Sequence, residues 1–362
     1  MPSCAHHRRS RCPSRPPTSP QWLLERLQLP EPLAQRAREH VDEPVAFEDL
    51  LKQHFLSNPP FEELPDPWTL HPASRSTDLD IARAFERGIL WLDPSPPAEF
   101  TLPIDWARSD LGRSCLSQLH SLRFLPPLMD SYREHPDERL FETIESIRLD
   151  WLYRNPRTKP AHTRAWNEGS VSLRVGTLLE LLNFYKKTGG PRDGSLIYLL
   201  GSIYEHARYL ARQETYAVPS DYAVRQAWSL IAISCAIPEF ADSSAWRQSA
   251  MEQLQAQVRD GFSSEGVWLQ YSPAYQEYVA LLLDQIIDTL LRSDGYTGDL
   301  LWAGEIRGRS ESYLAHALTP EGKYPPVGDS AEISLVFTLH AEDAELTYAA
   351  SSGAVGGPPE DL

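Results

Sequence analysis

The chain has no run of 18 or more apolar residues, no glycine-rich phosphate loop, no G-x-S-x-G turn and no histidine pair at metal-ligand spacing. The first absence excludes a membrane-spanning helix. The second and third remove local support for nucleotide binding and serine hydrolysis. Because none of the eleven histidines stands in H-x-x-x-H or beside a cysteine, no metal and no other cofactor is implied. Cysteine is scarce: Cys4, Cys12, Cys115 and Cys235 lie scattered, and a reduced compartment is the simpler expectation. The opening stretch MPSCAHHRRSRCPSRPPTSP is basic and carries five prolines but lacks an apolar h-region, so an ordinary signal peptide is not expected. The chain reads as cytoplasmic as written, and as periplasmic if its start lies elsewhere. Positive charge is also short, with 34 Lys and Arg against 50 Asp and Glu, a net charge of −16. Residues 1–40 hold seven Arg and three acids, which leaves 27 bases against 47 acids beyond them. Nucleic acid is thereby excluded as an expected partner, and an anionic ligand requires a local basic cleft whose arginines can be named.

At 362 residues and 41% hydrophobic content the chain is long enough to bury a substantial core. Residues 1–20 read as a disordered leader, and 21–104 as N-terminal helices with Pro-rich connections. Prolines 59, 60, 65, 67 and 72 exclude a regular helix between 58 and 72. From about 105 the pattern becomes helical, as in Leu196, Leu199, Leu200, Ile203, Ala207 and Leu210 or in Trp246, Ala250 and Leu254. Helices are expected near 21–39, 44–56, 79–91, 108–134, 137–154, 167–187, 193–214, 221–236, 243–259, 272–293 and 299–317. Asp193 and Ser243 are expected N-caps, and Gly189-Gly190-Pro191, Asp260-Gly261 and Asp294-Gly295 are expected stops. Short connections make sequential helices antiparallel neighbours. The expected fold is therefore all-α, an α/α toroid or solenoid-like array of helical hairpins over 105–330. Beta character is expected only at 334–339 and 345–350. Nothing in the pattern points to an oligomeric state.

Three constellations carry candidate chemistry. In "GVWLQYSPAYQEYVALLL" (266–283) Ser272 suits an N-cap and Pro273 the first helical position, which puts Tyr275 in the first turn, at the positive end of the helix dipole. A phenol held there can take a proton from carbon and return one to a departing oxygen; the alternative is a packed tyrosine with a bonded hydroxyl, as for Tyr278. In "PSDYAVRQ" (219–226) Asp221 and Arg225 lie one turn apart, either as an i,i+4 ion pair or as ligand-binding groups. In "RAWNEG" (164–169), followed by Arg174, the indole of Trp166 beside Asn167 and Arg174 suits stacking and bonding of a sugar ring, against a buried tryptophan and a solvated arginine as the plainer reading.

Six segments in order, LDWLYRNP (149–156), RAWNEGSVSLR (164–174), SDYAVRQAW (220–228), IPEFADSSAW (237–246), DGFSSEGVWLQYSPAYQEY (260–278) and YPPVGDS (324–330), resemble the heparinase II/III-like family of polysaccharide lyases, with its alginate and oligoalginate lyases. The resemblance implies an incomplete α/α toroid and β-elimination of a uronic-acid-containing glycan, an acidic polysaccharide partner. It implies Tyr275 as the catalytic acid and base, Arg225 facing the uronate carboxylate, and Asp221, Tyr222, Trp166, Asn167 and Arg174 binding substrate. Where the family has Asn-His this chain has Asp221-Tyr222, and an ionised Asp221 repels a carboxylate; Gln270 and Gln276 stand where Glu and His are frequent. Family members continue into a β-sandwich that adds a histidine, so 331–362 is expected to be a truncated start of that domain. Two readings follow: a lyase whose turnover is doubtful without the sandwich, or a non-catalytic glycan-binding toroid or inactive fragment of exopolysaccharide metabolism.

Overall fold

A computed structural model describes residues 18–57, 78–92, 95–191, 195–212, 219–293, 298–319 and 323–328. Among them are α1 (Pro20–Leu24), α2 (Leu33–Glu39), α3 (Pro44–Phe55), α4 (Asp78–Glu86), α5 (Arg113–Ser121), α6 (Leu125–Glu134), α7 (Glu138–Arg154), α8 (Glu168–Thr188), α9 (Ser195–Leu210), α10 (Asp221–Ala236), α11 (Ser243–Gly261), α12 (Pro273–Arg292) and α13 (Leu301–Ala317). A 3-10 turn, Thr163–Trp166, leads into α8. The chain is an incomplete α/α toroid: α6 with α7, α8 with α9, α10 with α11 and α12 with α13 pack as consecutive hairpins, while α5, α8, α10 and α12 pack successively against one another.

The sequence dictates which helix lies in which layer. In α10 Asp221 and every residue from Ala223 to Ser234 are buried, so the helix must be covered on all sides and falls in the inner layer. In α11 the buried set is Ser243, Trp246, Ala250, Leu254, Gln257, Val258 and Gly261, one stripe at helical spacing that suits an outer helix with one wet face. Small polar side chains let the inner helices approach: Ser229 Oγ lies 2.9 Å from Arg225 O in its own helix and 3.2 Å from Ser172 O across in α8. A buried leucine or isoleucine such as Leu182 or Ile231 contributes about 1.5–3 kcal/mol.

Several expectations are corrected. The helix expected over 21–39 is two, because Pro30 and Pro32 cannot sit in a helix interior. That over 108–134 is also two: Leu122 takes a left-handed conformation and Pro126 and Pro127 fall in the first turn of α6, where missing N–H groups do no harm. The helix expected over 79–91 ends at Glu86, and Gly88, at φ +78°, turns the chain into β1 (Ile89–Leu92), which pairs antiparallel with β2 (Ser95–Glu99). Beta structure is thus not confined to the C-terminus; 334–339 and 345–350 lie outside the described residues, as does Asp193. Ser243 is not the N-cap of α11. Asp242 holds that position, and Ser243 Oγ donates instead to Ile237 O at 2.8 Å. Inside the expected leader, Thr18 is already buried, against Gly201, where a Cβ would collide with it. Cys115 and Cys235 are free and partly buried.

Candidate functional site

The inner helices open on one side. Arg113, Ser114, Ser117 and Gln118 from the start of α5, Asn167 to Gly169 and Leu173 from the start of α8, Ser220 to Tyr222, Arg225 and Gln226 from the start of α10 and Tyr275 from the start of α12 line one hollow of about 690 Å³, with Arg123 and Arg164. Local capping fixes these openings: Asn167 Oδ1 accepts from Ser170 N at 2.7 Å, Ser220 Oγ from Ala223 N at 3.2 Å and Ser272 Oγ from Tyr275 N at 3.4 Å. Four helix N-termini therefore point their partial positive charge at one space. Four guanidiniums share it with two carboxyls, those of Glu168 and Asp221. Among the described residues, the guanidiniums of Arg113, Arg123 and Arg164 make no ion pair or hydrogen bond. In a chain of net charge −16 this is the basic cleft that an anionic ligand requires.

Asp221, Tyr222, Arg225, Asn167 and Tyr275 thus meet, although 108 residues of chain separate the first of their positions from the last. Tyr275 is half-buried, its ring packed on the core and its side chain lining the hollow. Tyr278, one turn on, is sealed inside and offers no second phenol. The Arg225 guanidinium lies 5.1 Å from the Tyr222 ring centre and 5.9 Å from that of Tyr278, a cation between two aromatic faces. Tyr222, half exposed, forms the lip and lies against Gly169, whose missing Cβ leaves room for the ring.

Asp221 is buried at the hollow's edge. Its backbone N–H donates to Gln270 Oε1 at 3.0 Å, and Trp268 Nε1 donates to the same oxygen at 2.7 Å. Burial pushes the Asp221 carboxyl above its ordinary range, opposed in part by Arg225 and by a hydrogen bond with Gln270. Between the unfolded value, 3.8, and this raised value the folded chain keeps a proton that the unfolded chain releases, so stability falls as pH rises through that window. Asp221→Asn is expected to raise Tm at neutral pH and to leave it unchanged below pH 3.8, a difference read from melting curves across pH. Above the window it should also tighten binding of a carboxylated polymer about tenfold by removing a like charge.

Two expected site residues lie elsewhere. Arg174 does not line the hollow: it is fully buried, its guanidinium 3.9 Å from the Trp151 ring centre, with Nη1 donating to His120 O at 2.5 Å, Nη2 to Ala165 O at 2.8 Å and Nε to His206 Nε2 at 2.8 Å. Trp166 donates its indole N–H to Asn155 O at 2.8 Å and packs 4.8 Å from the His206 ring, so its face is not presented to a sugar. Gln276 is a pin beneath the site. Its Oε1 accepts from Trp268 N at 2.9 Å and its Nε2 reaches Gly266 O at 2.8 Å and Ser310 Oγ at 3.0 Å. The turn before the helix requires glycine: Gly266 has φ +83°, and a Cβ there would lie 2.6 Å from the Arg309 backbone. Sequence reasoning missed Arg113, Arg123, Ser117, Gln118 and Gln226, whose spacing carries no local signal. Among the described residues no group of three His, Cys, Asp or Glu is placed to hold a metal, and no helix is long and apolar enough to cross a membrane.

Fold and site together define an α/α-toroid protein whose inner helices open on an arginine-lined hollow. Residues 87–339, well over half the chain, match the heparinase II/III N-terminus family, and the chain belongs to that family. Among curated relatives, a heparin-sulfate lyase of Bacteroides thetaiotaomicron is 25% identical over 166 residues, 45% of this chain and 24% of the relative. One of Pedobacter heparinus is 24% identical over 160 residues, 44% of this chain and 24% of the relative. The crystal structure of a heparinase III superposes with a TM-score of 0.77 at 18% identity, over 95% of this chain and 57% of that one. That of a heparan sulfate lyase from Pedobacter heparinus does so at 0.67 and 17%, with the same coverage. The chain thus spans somewhat more than half the length of these solved structures, and their likeness is one of fold.

Proposed function

We propose that the hollow binds an acidic polysaccharide and supports β-elimination at a uronic acid residue, with Tyr275 as acid and base and Arg225 holding the carboxylate. The observation that carries this reading is the meeting of Tyr275, Asp221 and Arg225 in one hollow whose other guanidiniums, on Arg113, Arg123 and Arg164, have no ion-pair or hydrogen-bond partner among the described residues. Arg225 neutralises the carboxylate, which acidifies the carbon-bound proton beside it. The Tyr275 phenolate takes that proton, a carbon-carbon double bond forms as the glycosidic carbon-oxygen bond breaks, and the phenol returns the proton to the departing oxygen. No water is consumed. Asn167 and Tyr222 contact sugar at the wall and the lip.

The name of one structural neighbour, a heparan sulfate lyase, makes heparan sulfate the first polymer to try. Incubation with heparan sulfate, alginate and hyaluronan should yield an ultraviolet-absorbing unsaturated uronate from at least one. If the folded chain yields none from any of them, the elimination reading is lost. A second reading, glycan binding without turnover, is favoured by one observation: the buried carboxyl of Asp221 faces the space where a substrate carboxylate would lie. On that reading the chain binds the polymer in a direct titration and releases no product.

A further inference from the structure

Gln226 follows Arg225 on α10, one turn beyond Tyr222, and lines the hollow although it is only 1% exposed. Its Oε1 is buried with no hydrogen-bond partner. Other buried glutamines nearby are bonded: Gln276 joins Trp268 N, Gly266 O and Ser310 Oγ, and Gln257 Oε1 accepts from Ser220 N at 3.3 Å. Gln226 lies in the buried run Ala223–Ser234, where Leu or Met would fill the same volume without stranding an acceptor. An amide in that position is explained by something that enters the hollow.

The chemistry of the amide narrows what enters. A hydroxyl both donates and accepts, so a single sugar hydroxyl completes the amide whichever way it is turned. A carboxylate or sulfate oxygen only accepts; it can meet Nε2 but leaves Oε1 stranded. The anionic groups of a ligand are also served already by the arginines. We propose that Gln226 is a specificity-determining residue that hydrogen-bonds an unsubstituted hydroxyl of the sugar ring in the hollow, so that the site selects against a glycan sulfated at that position. The proposal rests on reading the hollow as a glycan site.

Gln226→Met in the full chain tests it, with heparan sulfate and a chemically over-sulfated heparin, its hydroxyls capped, as the two probes. Removing a stranded amide should raise Tm by roughly 2 °C. The Kd for heparan sulfate should rise about 3- to 10-fold while that for the over-sulfated polymer stays within twofold, so that the ratio of the two constants moves. A lower Tm for Q226M means that the protein itself uses the amide, and overturns the proposal. Equal changes for both polymers, or none, do the same while leaving the glycan reading intact. If the unaltered chain binds neither polymer, both readings fall.

Discussion

Replacing Tyr275 with phenylalanine is expected to lower turnover of an acidic glycan by about 10²- to 10⁴-fold while leaving the glycan bound as tightly as before. Only the hydroxyl is lost. The ring keeps its packing on the core and Ser272 still caps the backbone N–H of residue 275, so the helix opening is preserved. A fall in turnover with unchanged affinity is the mark of a group that acts only in the transition state. It would be read as the rate of unsaturated uronate formation beside a direct binding titration. Activity retained in Y275F removes Tyr275 from the chemistry. Affinity lost in step with turnover makes it a binding residue instead.

Arg174→Ala is expected to destabilise the fold by about 3–5 kcal/mol, measured by urea denaturation. The guanidinium bonds carbonyls of two separate segments, His120 in α5 and Ala165 in the 3-10 turn, and a ring nitrogen of His206 in α9. Alanine strands both buried carbonyls and empties the space over Trp151; Arg174→Met, which fills that space, should lose less. Since α5 and the 3-10 turn also carry Arg113, Gln118 and Arg164 into the hollow, weakened polymer binding should accompany the loss. Acid is expected to act on the same cluster. Burial and the neighbouring Arg174 charge push His120 down to about 3 and His206 well below its ordinary value. Both stay neutral in the fold while the unfolded chain protonates near 6.5, so stability is full above that pH and falls as pH drops below it. Without the cation facing His206, R174A should lose part of this acid sensitivity.

The starts of α8, α10 and α12 and the Ser272 cap were legible because periodicity and a cap acting three residues away are local signals, whereas Asn167 and Ser220, which cap α8 and α10, were not read as caps. The shared hollow was inferable for Asp221, Arg225 and Tyr275 only through the family resemblance. Arg113 and Arg123 reach it from a part of the chain about 100 residues before α10, and no local pattern records such a meeting. Arg174 and Trp166 were assigned to sugar because residue type is visible in a sequence and orientation is not. The hairpin β1–β2 escaped because a four-residue apolar run reads equally well as the end of a helix, and Gly88 decides the matter through one backbone angle.

The convergence of four helix openings on one mouth bears on how a polyanion arrives. The charge of the chain as a whole is negative, and four helix N-termini and four guanidiniums are gathered at this hollow. On the proposed reading, an incoming acidic polymer would be turned away from much of the exterior and drawn in along a single direction, so that its orientation is largely selected before contact. Dissolved salt shortens the reach of both the repulsion and the pull, to about 8 Å at physiological ionic strength. Encounter is therefore fastest and most selective in dilute electrolyte.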